Sequence, residues 1–409
     1  MFQQINNKTL SFFIITTAYW FFMLSDGALR MLVLLHFHSI GFSPLQLAYL
    51  FILYEFFGMI TNLLAGWIAK KTGLNITLNF GILFQIISLF ALSQINSNWN
   101  SFEILIYVII VQGLAGIAKD LTKMSAKSSV KLLTPNKEDK LFKWVALMTG
   151  SKNAIKGLGF LVGAILLTFF EFNFSLIIMA IILLFILFLT IIFLPNNILS
   201  VKKDVKFKSI ISQNENINYL SLGRVFLFGA RDTWLVIGLP IFLYSLVSNG
   251  SESENEKAFF IIGSFMACWT IFYGLIQSLT PNILSKTKSL QFQTNFWANT
   301  LISIPLILII LNIYFTEQKL IITIITLFIF GFVFAINSSI HSYLILKFTD
   351  KSRVTLDVGF YYMSNAFGRL IGTLFSGLSF HIGGFLLCLF ITSILLAINT
   401  LTIKKINFS

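Results

Sequence analysis

Apolar residues in this chain gather into twelve long runs rather than into alternating or short segments. The runs fall at about 10–38, 44–69, 74–95, 102–131, 141–170 and 173–194. After a polar stretch they resume at about 219–247, 258–280, 289–313, 319–346, 354–379 and 382–403. A helix that crosses a ~30 Å hydrocarbon layer needs about 20 residues, and each run is long enough. The pattern predicts an all-α polytopic membrane protein with twelve transmembrane helices in two sixes. The expected divisions are a first bundle over 1–194, a central loop over 195–218 and a second bundle over 219–409. The central loop carries Lys202, Lys203, Lys206 and Lys208.

Composition agrees with that class. The chain is 56% hydrophobic and 11% charged, with 46 Phe and a mean hydropathy of +0.85. Soluble domains carry roughly 25% charged residues. The first apolar run is too long for a signal-peptide core, and no small-residue cleavage site follows it. Cys268 and Cys388 both lie within apolar runs, so they are expected to pack as small hydrophobes rather than to pair or bind metal.

The net charge of +13 is read first as topology, with no nucleic-acid partner expected. Lys70 and Lys71, Lys137 and Lys140, the central lysines, Lys286 and Lys288, Lys347 with Lys351 and Arg353, and Lys404 with Lys405 all fall on one side of the predicted bilayer. The opposite loops are acidic or neutral, as in SNGSESENEK over 248–257 and around Glu103 and Glu171. The positive-inside rule then makes both termini and the central loop cytoplasmic. The halves also echo each other. Asp26-Gly27-Ala28-Leu29-Arg30 in the first helix is matched by Gly229-Ala230-Arg231-Asp232 in the seventh, the Gly-Ala steps lying 202 residues apart. Two parallel six-helix repeats are the signature of the major facilitator architecture. The loop Gly66-Trp67-Ile68-Ala69-Lys70-Lys71-Thr72-Gly73 resembles that superfamily's signature loop, with Lys70 where an Asp is usual.

Function is sought in the ionisable residues inside the spans. Asp26, Arg30, Glu55, Lys152, Lys156, Arg231, Asp232 and Arg369 fall near mid-helix, while Lys119, Asp120 and Arg224 fall in the cytoplasmic halves and Lys123 nearer the interface. Facing lipid, Arg30, Lys152, Arg231 and Arg369 alone would cost roughly 10–14 kcal/mol. They must face protein or water. Pairing along the chain, Asp26 with Arg30 and Arg231 with Asp232, is one way to hold them. It leaves eight bases against four acids, and an uncompensated positive interior suits an anion with more than one charge. Lys119, Lys123, Lys127 and Lys131 recur every four residues and so share a helix face. Lys127 and Lys131, at the cytoplasmic mouth, are read as solvated or as headgroup contacts.

Candidate substrate-binding residues are therefore Arg30, Lys119, Lys123, Lys152, Arg231 and Arg369, with His341 open between cavity lining and helix packing. His36, His38 and His381 read as interface histidines. Asp26, Glu55 and Asp232 are candidates for proton coupling. Glu55 stands out because its own helix offers no cation within one turn. No phosphate-cradling glycine loop, metal spacing or nucleophile with an adjacent base is present, so neither an enzyme nor a cofactor is expected. The pairs Gly113/Gly116 and Gly157/Gly159 read as close helix packing.

YWFFMLSDGALRMLVLLHFH (19–38), SPLQLAYLFILYEFFGMITNLLAGWIAKKTGLN (43–75), GIAKDLTKMSAKSSVKLLTP (116–135), KWVALMTGSKNAIKGLGFLVG (143–163) and VFLFGARDTWLVIGLPIFL (225–243) resemble the organoarsenical efflux permeases of the ArsJ type. The likeness is dense over the first seven helices and weak beyond. It implies a carrier in a bacterial cytoplasmic (inner) membrane that exports 1-arseno-3-phosphoglycerate. A glyceraldehyde-3-phosphate dehydrogenase makes that compound from arsenate, so the pair gives arsenate resistance. Other readings stay open on the residues alone. One is a transporter of another organophosphate or anionic metabolite, in either direction. A cation antiporter needs an acidic cavity, a membrane enzyme needs a catalytic group with partners, and a sensor needs an appended soluble domain.

Overall fold

The structure, a computed structural model, describes residues 2–96, 98–133, 138–194, 214–284, 288–349 and 354–408. Within these, side chains are described outside 2–9, 65–72, 127–133, 138–150, 252 and 354–356. Most of the expected central loop, with its four lysines, lies outside the described residues. So do the side chains of Lys70, Lys71, Lys127, Lys131 and Lys140.

The described chain is helical throughout, with no strand among the described residues. The first half runs α1 (Phe2–Ser39), α2 (Pro44–Leu50), α3 (Ile52–Thr72), α4 (Leu74–Leu92), α5 (Ser101–Leu133), α6 (Glu138–Phe169) and α7 (Phe172–Phe193). The second runs α8 (Glu215–Leu235), α9 (Gly238–Val247), α10 (Glu252–Ile283), α11 (Leu290–Tyr314), α12 (Lys319–Phe348) and α13 (Val354–Ile403). Eleven described segments are long and apolar enough to cross a membrane. The last, Asp357–Ile403, has 47 residues, which at 1.5 Å each is about twice one hydrocarbon thickness. It is broken at Gly383 and Gly384, where Gly384 sits at φ 64° and ψ −159°, a conformation essentially reserved for glycine. The break makes two crossings of α13, and the count becomes twelve.

Two crossings are discontinuous. α2 starts with a capping box, Ser43 Oγ accepting from the Gln46 N–H and Gln46 Oε1 accepting from the Ser43 N–H, with Pro44 in the first turn. It yields to α3 after Phe51 alone. α8 yields to α9 at Val236 and Ile237, where the freed N–H groups of Ile237 and Gly238 donate to Ser376 Oγ at 3.1 and 3.0 Å. Broken backbone at membrane depth is tolerated where protein supplies such partners. The helix expected from 219 begins at Glu215, because the Asn214 side chain accepts from the Asn216 N–H and caps it.

Lipid-facing and inward-facing surfaces separate cleanly. On α7, Ile181, Leu184, Phe185, Phe188 and Ile192 are exposed, as a bilayer-facing helix requires, while Leu176, Leu183 and Thr190 are buried. The two half-cores exchange residues. Val236, Ile237 and Ile241 join the first core, and Met31, Leu35, Phe160 and Ala164 join the second. The repeated Gly-Ala step marks equivalent crossings. Gly27 on α1 faces Gly159 on α6, and Gly229 on α8 faces Gly368 and Gly372 on α13. Gly116 lies against the Tyr54 backbone of α3, and Gly157 against Ala267 and Ile271 of α10. These close approaches bring the charged helices together around one space.

Candidate functional site

That space is a cavity of about 230 Å³ between the halves. Arg30 from α1, Lys119 and Lys123 from α5, and Lys152 and Lys156 from α6 line it on the first half. Arg224 and Arg231 from α8 and Arg369 from α13 line it on the second, with one carboxylate, Asp232. All eight bases that the sequence put within the spans therefore share one wall. Met23, Met31, Met266 and Trp269 supply apolar surface, and Asn153, Gln277, Tyr362 and Asn365 supply neutral polar groups.

The carboxylates stand mostly behind this wall. Glu55 on α3 is fully buried; its Oε1 accepts from Arg30 at 2.9 Å and from Arg369 at 2.6 Å, and Lys119 Nζ is 3.8 Å from Oε2. Asp26 accepts from Lys156 at 2.6 Å and from the Tyr54 hydroxyl. Asp120 holds Lys123 at 2.6 Å and Lys119 at 3.5 Å. Asp232 holds Arg231 at 2.5 Å and faces Arg369 Nε at 3.4 Å. Arg224 has no carboxylate within ion-pair distance among the described residues. Its Nε donates to Asn365 at 3.0 Å, its Nη1 donates to the Ser338 carbonyl and hydroxyl at 3.1 Å, and its guanidinium lies 3.9 Å from the Phe228 ring centroid.

The geometry bears on three points that the sequence left open. Asp26 does not pair with Arg30 one turn along α1. Lys156, brought across by the Gly27–Gly159 approach, takes Asp26, and Arg30 turns to Glu55. Glu55 does have cations close by, because they arrive from α1, α5 and α13 rather than from its own helix. His341 is fully buried but is not part of the cavity wall; it packs near Gly223 within the second half.

The sequence reading missed several neutral groups. Tyr54 bonds Asp26 and holds Lys119 Nζ 4.0 Å from its ring centroid. Asn62 accepts from Lys123 at 2.8 Å, and Asn365 fixes Arg224. Tyr54 adjoins Glu55 and Asn365 precedes Arg369 by one helical turn, so proximity to an intramembrane charge was an available signal.

At the end carrying residues 39–43, 170–171 and 248–251 the halves touch directly. His38 stands edge-on to Tyr244 at 4.6 Å, and a Cβ on Gly377 would meet Ala48 and Pro44. His36 there stacks on Phe172 at 4.1 Å. Both cysteines are free, Cys388 buried and Cys268 exposed.

A twelve-crossing bundle with a charged cavity between its halves defines a membrane carrier. The chain belongs to the Major Facilitator Superfamily, whose sequence profile matches residues 15–340. It is a transporter, not an enzyme. No curated protein matches the chain. Among solved structures it is similar to a mutant of the nucleoside transporter NupG, at TM-score 0.75 and 14% identity, covering 98% of this chain and 100% of that one. A POT family transporter in complex with 5-aminolevulinic acid matches at TM-score 0.74 and 15% identity, covering 97% and 95%. A D-xylose-proton symporter matches at 0.70 and 11%, covering 96% and 97%. At these identities the likeness is one of fold.

Proposed function

We propose that this transporter carries a small organic anion with more than one negative charge, and that it exports it. The observation that carries this reading is the cavity wall itself, with eight bases and one carboxylate around about 230 Å³. That volume lies below the ~300–1,000 Å³ of pockets for drug-sized ligands, which favours a metabolite-sized substrate. Arginine forks suit the planar donor demands of phosphate and arsenate groups, while lysines supply mobile point charges. Within this class the resemblance to organoarsenical efflux permeases names 1-arseno-3-phosphoglycerate, made by a partnering glyceraldehyde-3-phosphate dehydrogenase in a bacterium and exported across its cytoplasmic membrane.

The deciding experiment measures cellular arsenic in an arsenate-sensitive bacterium. Strains carry this chain, the dehydrogenase, or both. Arsenic is expected to fall only when both are present. Unchanged arsenic with well-inserted protein would remove the organoarsenical substrate and turn the search to other organophosphates, imported or exported.

Arg30, Lys119, Lys123, Lys152, Arg231 and Arg369 are the proposed substrate contacts. Lys152→Ala and Arg231→Ala are each expected to lower transport at least tenfold with insertion intact. Wild-type resistance in both variants would refute the assignment. Proton antiport through Asp26, Glu55 or Asp232 is the proposed energy source; each of the three is buried and meets a cavity-lining base. Anion flux that persists unaltered when the proton gradient is collapsed would sink that part.

A further inference from the structure

Glu55 holds a position that ordinary neutralisation does not account for. Its Oε1 accepts from Arg30 of the first half and Arg369 of the second, at 2.9 and 2.6 Å. Among the described residues, Glu55–Arg369 is the ion pair that joins the two halves. Both guanidiniums also line the cavity, whereas Glu55 reaches them from behind its wall. An anion entering the cavity meets the same donors that Glu55 already occupies.

We infer that Glu55 is an internal stand-in for the substrate: its carboxylate holds Arg30 and Arg369 in the unloaded carrier, and the substrate's anionic group displaces it from them. The inference rests on the anion-transport reading above. Each guanidinium spends its Nη2 on Glu55 Oε1, and two anions gathered around the same pair of guanidiniums repel each other, so a substrate that takes those donors must do so in place of the carboxylate. Arg369 Nη2 is the donor committed to Glu55, whereas its Nε stands 3.4 Å from Asp232 without a hydrogen bond, so the Nη2 contact is the one that a newcomer on that donor would replace. Loading then exchanges one anion for another. Because Glu55 sits on α3 and Arg369 on α13, the same exchange opens the ionic tie between the halves. An empty carrier keeps that tie, and a loaded one has it replaced by the substrate.

The test is equilibrium binding of 3-phosphoglycerate to purified full-length protein in nanodiscs at one pH, comparing wild type, Glu55→Gln and Glu55→Asp. Glu55→Gln keeps the size and removes the competing charge. It is expected to bind the probe at least tenfold more tightly than wild type while moving it more slowly in proteoliposomes. Glu55→Asp keeps the competing charge but draws it back by one methylene, and is expected to bind the probe less tightly than Glu55→Gln. A residue that merely props up the cavity would weaken binding when changed, so the sign of the effect separates the two roles. Glu55→Gln leaves two buried guanidiniums short of a partner, so the rise in thermal midpoint caused by the probe is measured alongside. That rise is expected to be larger in Glu55→Gln than in wild type, and it needs only a folded fraction. Equal or weaker binding by Glu55→Gln, with no larger rise, would overturn the stand-in while leaving anion transport intact. Absence of binding to all three proteins would overturn the anion reading, and the stand-in with it.

Discussion

Arg369→Ala is expected to abolish the proposed anion transport, lowering flux at least a hundredfold, while much of the protein still inserts. Arg369 is the residue on which both halves' carboxylates converge, with Glu55 at 2.6 Å and Asp232 at 3.4 Å. Removing it deletes a cavity donor and leaves those carboxylates with fewer partners in a buried site. Breaking a buried pair from one side costs about 3–5 kcal/mol, so a lower yield of folded protein is part of the expected result. Arg369→Lys keeps the charge but not the planar fork that addresses Glu55 and Asp232 together, and it is expected to recover folding more than transport. The check is initial flux of 3-phosphoglycerate in proteoliposomes, normalised to monodisperse protein. Flux near wild type in Arg369→Ala would remove Arg369 from the substrate site.

Gly159→Leu is expected to prevent folding altogether. A Cβ at Gly159 would lie 3.1 Å from the Gly27 Cα and 3.2 Å from the Ala28 nitrogen. These are backbone atoms of α1 and cannot turn aside as a flexible side chain can. Overpacking typically costs ~1–3 kcal/mol, and a leucine here pushes whole helices apart rather than one rotamer. Separation of α1 from α6 also breaks Lys156–Asp26, held at 2.6 Å across that contact. Gly159→Ala is expected to fold in reduced amount, whereas Gly359→Ala, with nothing within 4 Å of its Cβ position, is expected to match wild type. Size-exclusion profiles of the extracted variants read this directly. A monodisperse Gly159→Leu protein at normal yield would mean that the α1–α6 approach is not needed.

The sequence by itself determined the class, the twelve crossings and the inventory of membrane-buried charge. The physics there is one-dimensional: a bilayer demands about 20 apolar residues per crossing, and any base within such a run is conspicuous because lipid penalises it. The Gly27-Ala28 and Gly229-Ala230 echo likewise announced two equivalent halves. Only the tertiary structure decided who meets whom. Arg30 and Glu55 are 25 residues apart, Asp26 and Lys156 are 130, and Glu55 and Arg369 are 314. Helical spacing on one segment is blind to such partners. That blindness left Asp26–Arg30 as one way among others to hold those charges, showed Glu55 no cation on its own helix, and left His341 undecided between cavity and core. Where glycine lets two helices approach, a lysine one turn away on the neighbour outcompetes an arginine one turn away on the same helix, because packing sets distance in three dimensions.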